Sequence, residues 1–260
     1  MKFFYLALLL FFLVNFSYSG GPKIWEVSIN KDFEKGKFEN TILTPEGEVS
    51  IGSYLDKFKQ LKMTIWCALK DKSENFYIGT NNKGTIYKIN KKLEKIYEKK
   101  ELIVTSIVIN KDNIYAGTIP NGKIFCIKNG KGKLLAKLPS SYIWQIKYFN
   151  NKLYAATGPK GIVYEINPLN GKYNIIGKTT QEHLLAMDID SKGNIYLGSS
   201  PDGILYKILP NGKILAIAEL SENEIRSLVI YKEEIFIGAN KIKNLNNSKG
   251  IKLLARKISK

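Results

Sequence analysis

The chain has 260 residues, of which 44% are hydrophobic, 12% aromatic and 24% charged. That balance excludes a disordered, a collagenous and a polytopic membrane chain, and the length suits two small domains or one large all-β domain with a sizeable core. Forty Lys and Arg against 23 Asp and Glu leave a net charge of +17, and only Arg226 and Arg256 of the basic residues are arginine.

Lys2 is followed by an unbroken apolar run, Phe3 to Val14, then a polar stretch from Asn15 to Ser19 and a Gly20-Gly21 pair. This is the layout of a secretory signal peptide, with Ser17 and Ser19 suited to positions −3 and −1 of a cut after Ser19. The run is too short to span a bilayer, which takes about 20 apolar residues. The expectation is a signal over residues 1–19 and one domain over 20–260. Loss of Lys2 leaves a mature charge of +16. Cys67 and Cys126 lie in two different strand-like runs, TIWCALK and KIFCIK. An exported pair admits a disulfide, but two small apolar thiols packed as hydrophobes are the preferred reading.

The remainder repeats. FYIGTNNKGTIYKI (76–89), IYAGTIPNGKIFCI (114–127), LYAATGPKGIVYEI (153–166) and IYLGSSPDGILYKI (195–208) are versions of one unit, and a fifth, broken version begins at IFIGAN (235–240). The central small residue is Gly79, Gly117, Ala156, Gly198 and Gly238, at spacings of 38, 39, 42 and 40. A period near 40 with strand-like alternation indicates β-propeller blades rather than helical repeats.

Each period predicts four strands, in the first repeat Ile65–Leu69, Phe76–Thr80, Thr85–Ile89 and Glu94–Lys99. Pro-x-Gly turns recur at Pro120–Gly122, Pro159–Gly161 and Pro201–Gly203, where proline sets a negative φ and glycine accepts a positive one. Asn-Gly hairpin signals follow at Asn129, Asn170 and Asn211. A glycine inside a strand marks a close approach by something bulky. The aromatics two positions before it, Tyr77, Tyr115, Tyr154, Tyr196 and Phe236, are expected in the core, as are Tyr87, Phe125, Tyr164 and Tyr206 on the third strands.

These Ile-Tyr-x-Gly-Thr-x-Pro-x-Gly-x-Ile-Tyr units, with leading Ile65-Trp66 and Ile143-Trp144 strands, resemble the repeats of bacterial exported β-propellers of the WD40-like and YVTN-like group over roughly residues 64 to 254. The resemblance implies a ring of blades about a central channel, the first strand of each repeat innermost. The Trp-Asp and Gly-His signatures of strict WD40 repeats are absent. Thr41–Gly52 reads as two further strands of a repeat and Leu55–Lys62 as another, while Gly250–Lys260 stops before a fourth strand can form. The expectation is an all-β propeller of four-stranded blades, six in number with five as the alternative. N- and C-terminal segments close the ring and remove exposed sheet edges.

One position varies where the rest of the innermost strand does not. After the leading aliphatics Ile65, Val104, Ile143, Leu184 and Ile225 come Trp66, Thr105, Trp144, Leu185 and Arg226. These five are the candidate binding residues, placed near one mouth of the channel, with plugging of the channel or packing between blades as the competing reading. Trp and Arg supply most hot-spot energy in interfaces. Further along the strand Lys147 and Asp188 are equivalent residues of neighbouring repeats and predict a structural ion pair between blades.

Catalytic and metal chemistry find little support. His183 is the only histidine and is read as a solvated loop residue, with a Glu182–His183 acid/base pair as the alternative. One histidine does not make a typical zinc site. Asp188-Ile-Asp190-Ser-Lys-Gly193 fails as a calcium loop because Lys192 takes a ligand position and no glutamate closes it. Gly-x-Ser-x-Gly, P-loop and dinucleotide motifs are missing. The fifth repeat takes 12 residues from Gly238 to Gly250 where the others take 5, and the extra stretch, 241–247, reads equally as a functional loop or a frayed blade. The lysines, Lys95, Lys99, Lys100, Lys131 and Lys133 among them, fall on turns and outer strands, where they guard sheet edges.

The sequence thus implies a periplasmic or secreted propeller, monomeric, without cofactor or metal, acting as a non-enzymatic scaffold for an envelope or secreted protein. A hydrolase or lyase acting on envelope carbohydrate or a small ester is the alternative, and an electrostatic binder of anionic surface polysaccharide a further one. Nucleic acid is not an expected partner of an exported, lysine-rich chain, since its specific recognition favours the planar Arg fork.

Overall fold

A computed structural model describes residues 41–43, 48–51, 63–81, 83–100, 102–241 and 252–258. The chain divides into two compact units, Met1–Gln60 and Leu61–Lys260. In the first, β1 (Thr41–Leu43) and β2 (Val49–Ile51) form an antiparallel pair with Thr41 opposite Ile51. The predicted signal over 1–19, the predicted strand at 55–62 and residues 242–247 of the insertion lie outside the described residues.

The second unit is all-β. Its first sheet is β3 (Ile65–Lys70), β4 (Phe76–Thr80), β5 (Ile86–Asn90) and β6 (Lys92–Tyr97). The second is β7 (Ile103–Asn110), β8 (Asn113–Ile119), β9 (Lys123–Lys128) and β10 (Lys131–Lys137). The third is β11 (Tyr142–Phe149), β12 (Lys152–Gly158), β13 (Ile162–Ile166) and β14 (Tyr173–Lys178). The fourth is β15 (His183–Ile189), β16 (Ile195–Ser200), β17 (Ile204–Ile208) and β18 (Ile214–Glu219). The fifth has three strands among the described residues, β19 (Glu224–Tyr231), β20 (Glu234–Lys241) and β21 (Lys252–Ile258). Within each sheet, sequence neighbours pair antiparallel, and the first strands of successive sheets touch, β3 with β7, β7 with β11, β11 with β15 and β15 with β19. Repeat for repeat, this is the four-stranded blade that the 40-residue period predicts.

The glycines show why the period is conserved within the chain. A β-carbon on Gly117 would stand 2.7 Å from Ile143 Cγ2, and one on Gly79 would stand 2.6 Å from Val104 Cγ1. On Gly198 it would collide with Ile225. The bulky group that each glycine admits is the leading aliphatic of the next sheet, which drives into the second strand of the sheet before it. Val104, Ile143, Leu184 and Ile225 are each no more than 1% exposed as a result. Ile65, with no sheet before it among the described residues of this unit, is 49% exposed.

The turn glycines join sheets as well. Gly122, at φ +55°, donates its N–H to Ser141 and accepts from Leu138, both in the link to the third sheet. Gly161 does the same between Glu182 and Thr179. A side chain at either would strike the backbone carbonyl of the link, that of Ser140 or Gln181. Pro-x-Gly therefore serves as a clip to the next blade as well as a reversal. The expected core aromatics are inside: Tyr77, Tyr115, Tyr196, Phe125, Tyr164 and Tyr206 are buried, and Tyr87, Tyr154 and Phe236 half-buried.

Cys67 and Cys126 are both free thiols, partly buried. Burial pushes the Cys67 thiol up to about 12, so at neutral pH it is an inert packing group. Among the described residues no helix is long and apolar enough to cross a membrane.

Candidate functional site

Each innermost strand carries one β-bulge, and it falls at the same place five times. Ile65 pairs with Thr80 and Cys67 with the next residue, Gly79, so Trp66 is left over. The same skip leaves Thr105 between Val104 and Ser106, Trp144 between Ile143 and Gln145, Leu185 between Leu184 and Ala186, and Arg226 between Ile225 and Ser227. A bulge adds a residue that the ladder does not bind and re-aims its side chain. These are the five residues that sequence comparison singled out, and the bulge explains why that position tolerates indole, hydroxyl, aliphatic and guanidinium alike.

All five line one open cavity of about 490 Å³, walled by residues of the innermost strands. Their roles within it differ. Thr105 and Leu185 are buried; the Thr105 hydroxyl lies against the carbonyl oxygens of Gly117 and Ile143, the second in the next sheet. Trp66 is 41% exposed, Trp144 half-buried and Arg226 exposed. Arg226 donates from Nε to Glu224 Oε2 at 2.8 Å and from Nη2 to Oε1 at 3.4 Å.

Below the mouth, side chains tie the second, third and fourth sheets each to the next. Ser106 Oγ accepts from Ile146 N–H at 3.0 Å, Gln145 Oε1 from Met187 N–H at 2.6 Å, and Asp188 Oδ2 from Ile230 N–H at 2.8 Å. These donors lie on the free edge of an innermost strand, and each would otherwise go without a protein partner. The predicted Lys147–Asp188 ion pair is present at 2.9 Å. Asp188 thereby holds three sheets, its own, the third through Lys147 and the fifth through Ile230.

His183 corrects its expectation. Rather than a solvated loop residue it opens β15, with its side chain 25% exposed. Trp144 Nε1–H donates to its Nδ1 at 3.1 Å, and the two rings meet edge to face at 5.5 Å with Tyr142 alongside. Gly158 makes room for the pair, since a β-carbon there would strike His183 Nδ1 and stand 2.8 Å from Trp144 Nε1. Glu182 is 3.9 Å from Nε2, beyond hydrogen-bond length. Sequence reading missed Tyr142, Gly158 and Glu224 as members of the mouth; the signal available was that Tyr142, His183 and Glu224 each stand two residues before a bulge.

Burial lowers the His183 pKa below its ordinary 6.5, helped by the Arg226 charge and opposed by Glu182 and Glu224. Only the neutral ring has a free Nδ1 lone pair to accept from Trp144. The unfolded chain therefore binds a proton at higher pH than the folded one, so stability is full above about 6.5 and falls as pH drops through the folded value. NMR titration of the imidazole should give a midpoint under 6.5, together with a shift of the Trp144 indole N–H signal; a midpoint at or above 6.5 would contradict the packing described.

The loop at Asp190 is a turn, as read from sequence: its carboxylate accepts from Lys192 N–H, Asn194 N–H and Asn194 Nδ2, and Asp71 does likewise with Ser73 and Asn75. Among the described residues no three His, Cys, Asp or Glu side chains converge as a metal site.

No family model matches the chain, and no curated protein does. Solved structures do. The extracellular domain of the putative one component system BT4673 from B. thetaiotaomicron superposes with a TM-score of 0.58 at 16% identity, over 76% of this chain and 29% of that one. The chain therefore spans under a third of that domain's length. Virginiamycin B lyase from Staphylococcus aureus gives a TM-score of 0.61 at 12% identity, over 85% of this chain and 77% of the other. The WD40 repeats of RRP9 give 0.57 at 13% identity, over 70% and 59%. What the chain shares with all three is its fold, the β-propeller.

Proposed function

We propose that the chain is a non-enzymatic binding scaffold that recognises an envelope or secreted protein through one mouth of the central cavity. In this reading residues 1–19 are a cleaved export signal, and residues 20–260 form one monomeric, six-bladed propeller, periplasmic or secreted, with five blades as the alternative. The observation that carries it is the convergence of five bulge residues on one cavity, since a position that the ladder does not use and that varies freely is where a rigid disc gains specificity. The binding residues are Trp66, Trp144 and Arg226, with Leu185 and Thr105 completing the lining.

Cross-linking and pull-down from the native envelope, at low and high salt, tests this. A discrete protein captured at both salts, and lost at least tenfold with Trp66→Ala or Trp144→Ala in folded protein, is the expected outcome. Capture that vanishes with salt indicates an electrostatic binder of anionic polysaccharide instead. If both variants unfold, the indoles are packing groups and the reading fails.

A hydrolase or lyase acting on envelope carbohydrate or a small ester is the second reading, favoured by half-buried His183 beside Glu224 and Arg226. His183→Ala would abolish such turnover.

A further inference from the structure

Resting on the mouth as the recognition site, we infer that the group it receives is a neutral sugar ring. The chain carries +17, yet among the residues lining the cavity only Lys147 and Arg226 are charged. Each is held by a carboxylate, Lys147 by Asp188 at 2.9 Å and Arg226 by Glu224 at 2.8 Å. The lining therefore offers a polyanion no surplus cation, although the chain as a whole is strongly basic.

What it does offer matches a sugar. Arg226 is fixed to Glu224 by two hydrogen bonds, leaving the Nη1 edge of its guanidinium as a donor for a hydroxyl oxygen. Trp144 has spent its indole N–H on His183, so it presents ring surface rather than a donor. Trp66, 41% exposed, presents the same from the first sheet. An apolar ring face beside a few fixed polar groups is the general make-up of a small-molecule site, and about 490 Å³ is a volume of that class.

Indole use supports this. The chain has three tryptophans, and each follows an isoleucine, at Ile24-Trp25, Ile65-Trp66 and Ile143-Trp144. The fold itself accepts Thr105, Leu185 or Arg226 at that position, so packing does not demand an indole there.

The test is binding of the mature protein to an array of neutral and uronate-bearing oligosaccharides at 0.1 M and at 1 M salt. Neutral glycans are expected to be retained equally at both, with at least a tenfold loss for Trp66→Ala, whose exposed side chain leaves folding intact, and a loss for Arg226→Lys, which cannot keep the two-pronged pair. Retention only of acidic glycans, released at 1 M, overturns the inference, and so does retention of none. Envelope extract oxidised with periodate before the pull-down separates this from the scaffold reading. Capture lost on oxidation supports the sugar, and glycosidase-released glycan competing for the mouth identifies a glycoprotein source rather than free polysaccharide. Capture of the same protein after oxidation leaves the scaffold standing and removes the sugar.

Discussion

Gly198→Val is expected to unfold the protein, or to lower its stability by at least about 3 kcal/mol in urea titration. A bare β-carbon at 198 would already lie 2.7 Å from Ile225 Cβ and 3.0 Å from the Ile225 carbonyl oxygen, and valine adds two methyl groups to that collision. Overpacking costs about 1–3 kcal/mol when side chains can shift, but here one obstacle is backbone and the other is a fully buried side chain locked between sheets. Gly117→Val, facing Ile143 at 2.7 Å, should behave alike. Gly212→Ala is the contrast: nothing lies within 4 Å of its added carbon, so only the positive φ of 84° is opposed, a penalty of about 1 kcal/mol. An unchanged melting temperature for Gly198→Val would refute the account of blade packing.

Asp188→Ala should be the most damaging polar substitution at the channel wall, about 2–4 kcal/mol, because it leaves Ile230 N–H and Lys147 without their partner at once. Asp188→Asn keeps an acceptor for Ile230 and forfeits only the ion pair. With Lys147 about a third exposed, that pair is screened and adds about 1 kcal/mol or less. Equal losses for the two variants in urea titration would mean that the charge, not the inter-sheet hydrogen bond, carries the effect.

The blade architecture was legible because its causes are local and repeated. Alternation wrote the strands, Pro-x-Gly and Asn-Gly wrote the turns, and the glycine at a fixed spacing recorded the intrusion of the next sheet's aliphatic. Predicted and observed strands of the first repeat agree within two residues at either end, Phe76–Thr80 coinciding throughout. The variable position at Trp66, Thr105, Trp144, Leu185 and Arg226 was legible as a position, but the bulge behind it was not, because a bulge is a property of register with the partner strand. His183 was misread for a related reason. Its acceptor role depends on Trp144, 39 residues away, and on the space left by Gly158, neither of which a single repeat reveals. The Lys147–Asp188 pair could be found because both residues occupy equivalent places in adjoining repeats.

The central claim is that recognition happens at the bulge residues of the innermost strands, and site-specific photo-cross-linking tests it most directly. A benzophenone side chain would replace Tyr142, half-buried beside Trp144 at the mouth, in one variant and Ile175, exposed on the outer strand β14, in another. Both would be irradiated in native envelope. The account predicts a discrete adduct from position 142 that is absent from position 175 and is lost when Trp66→Ala is added. An adduct from position 175 with none from 142 would place recognition on the rim of the sheets and contradict it.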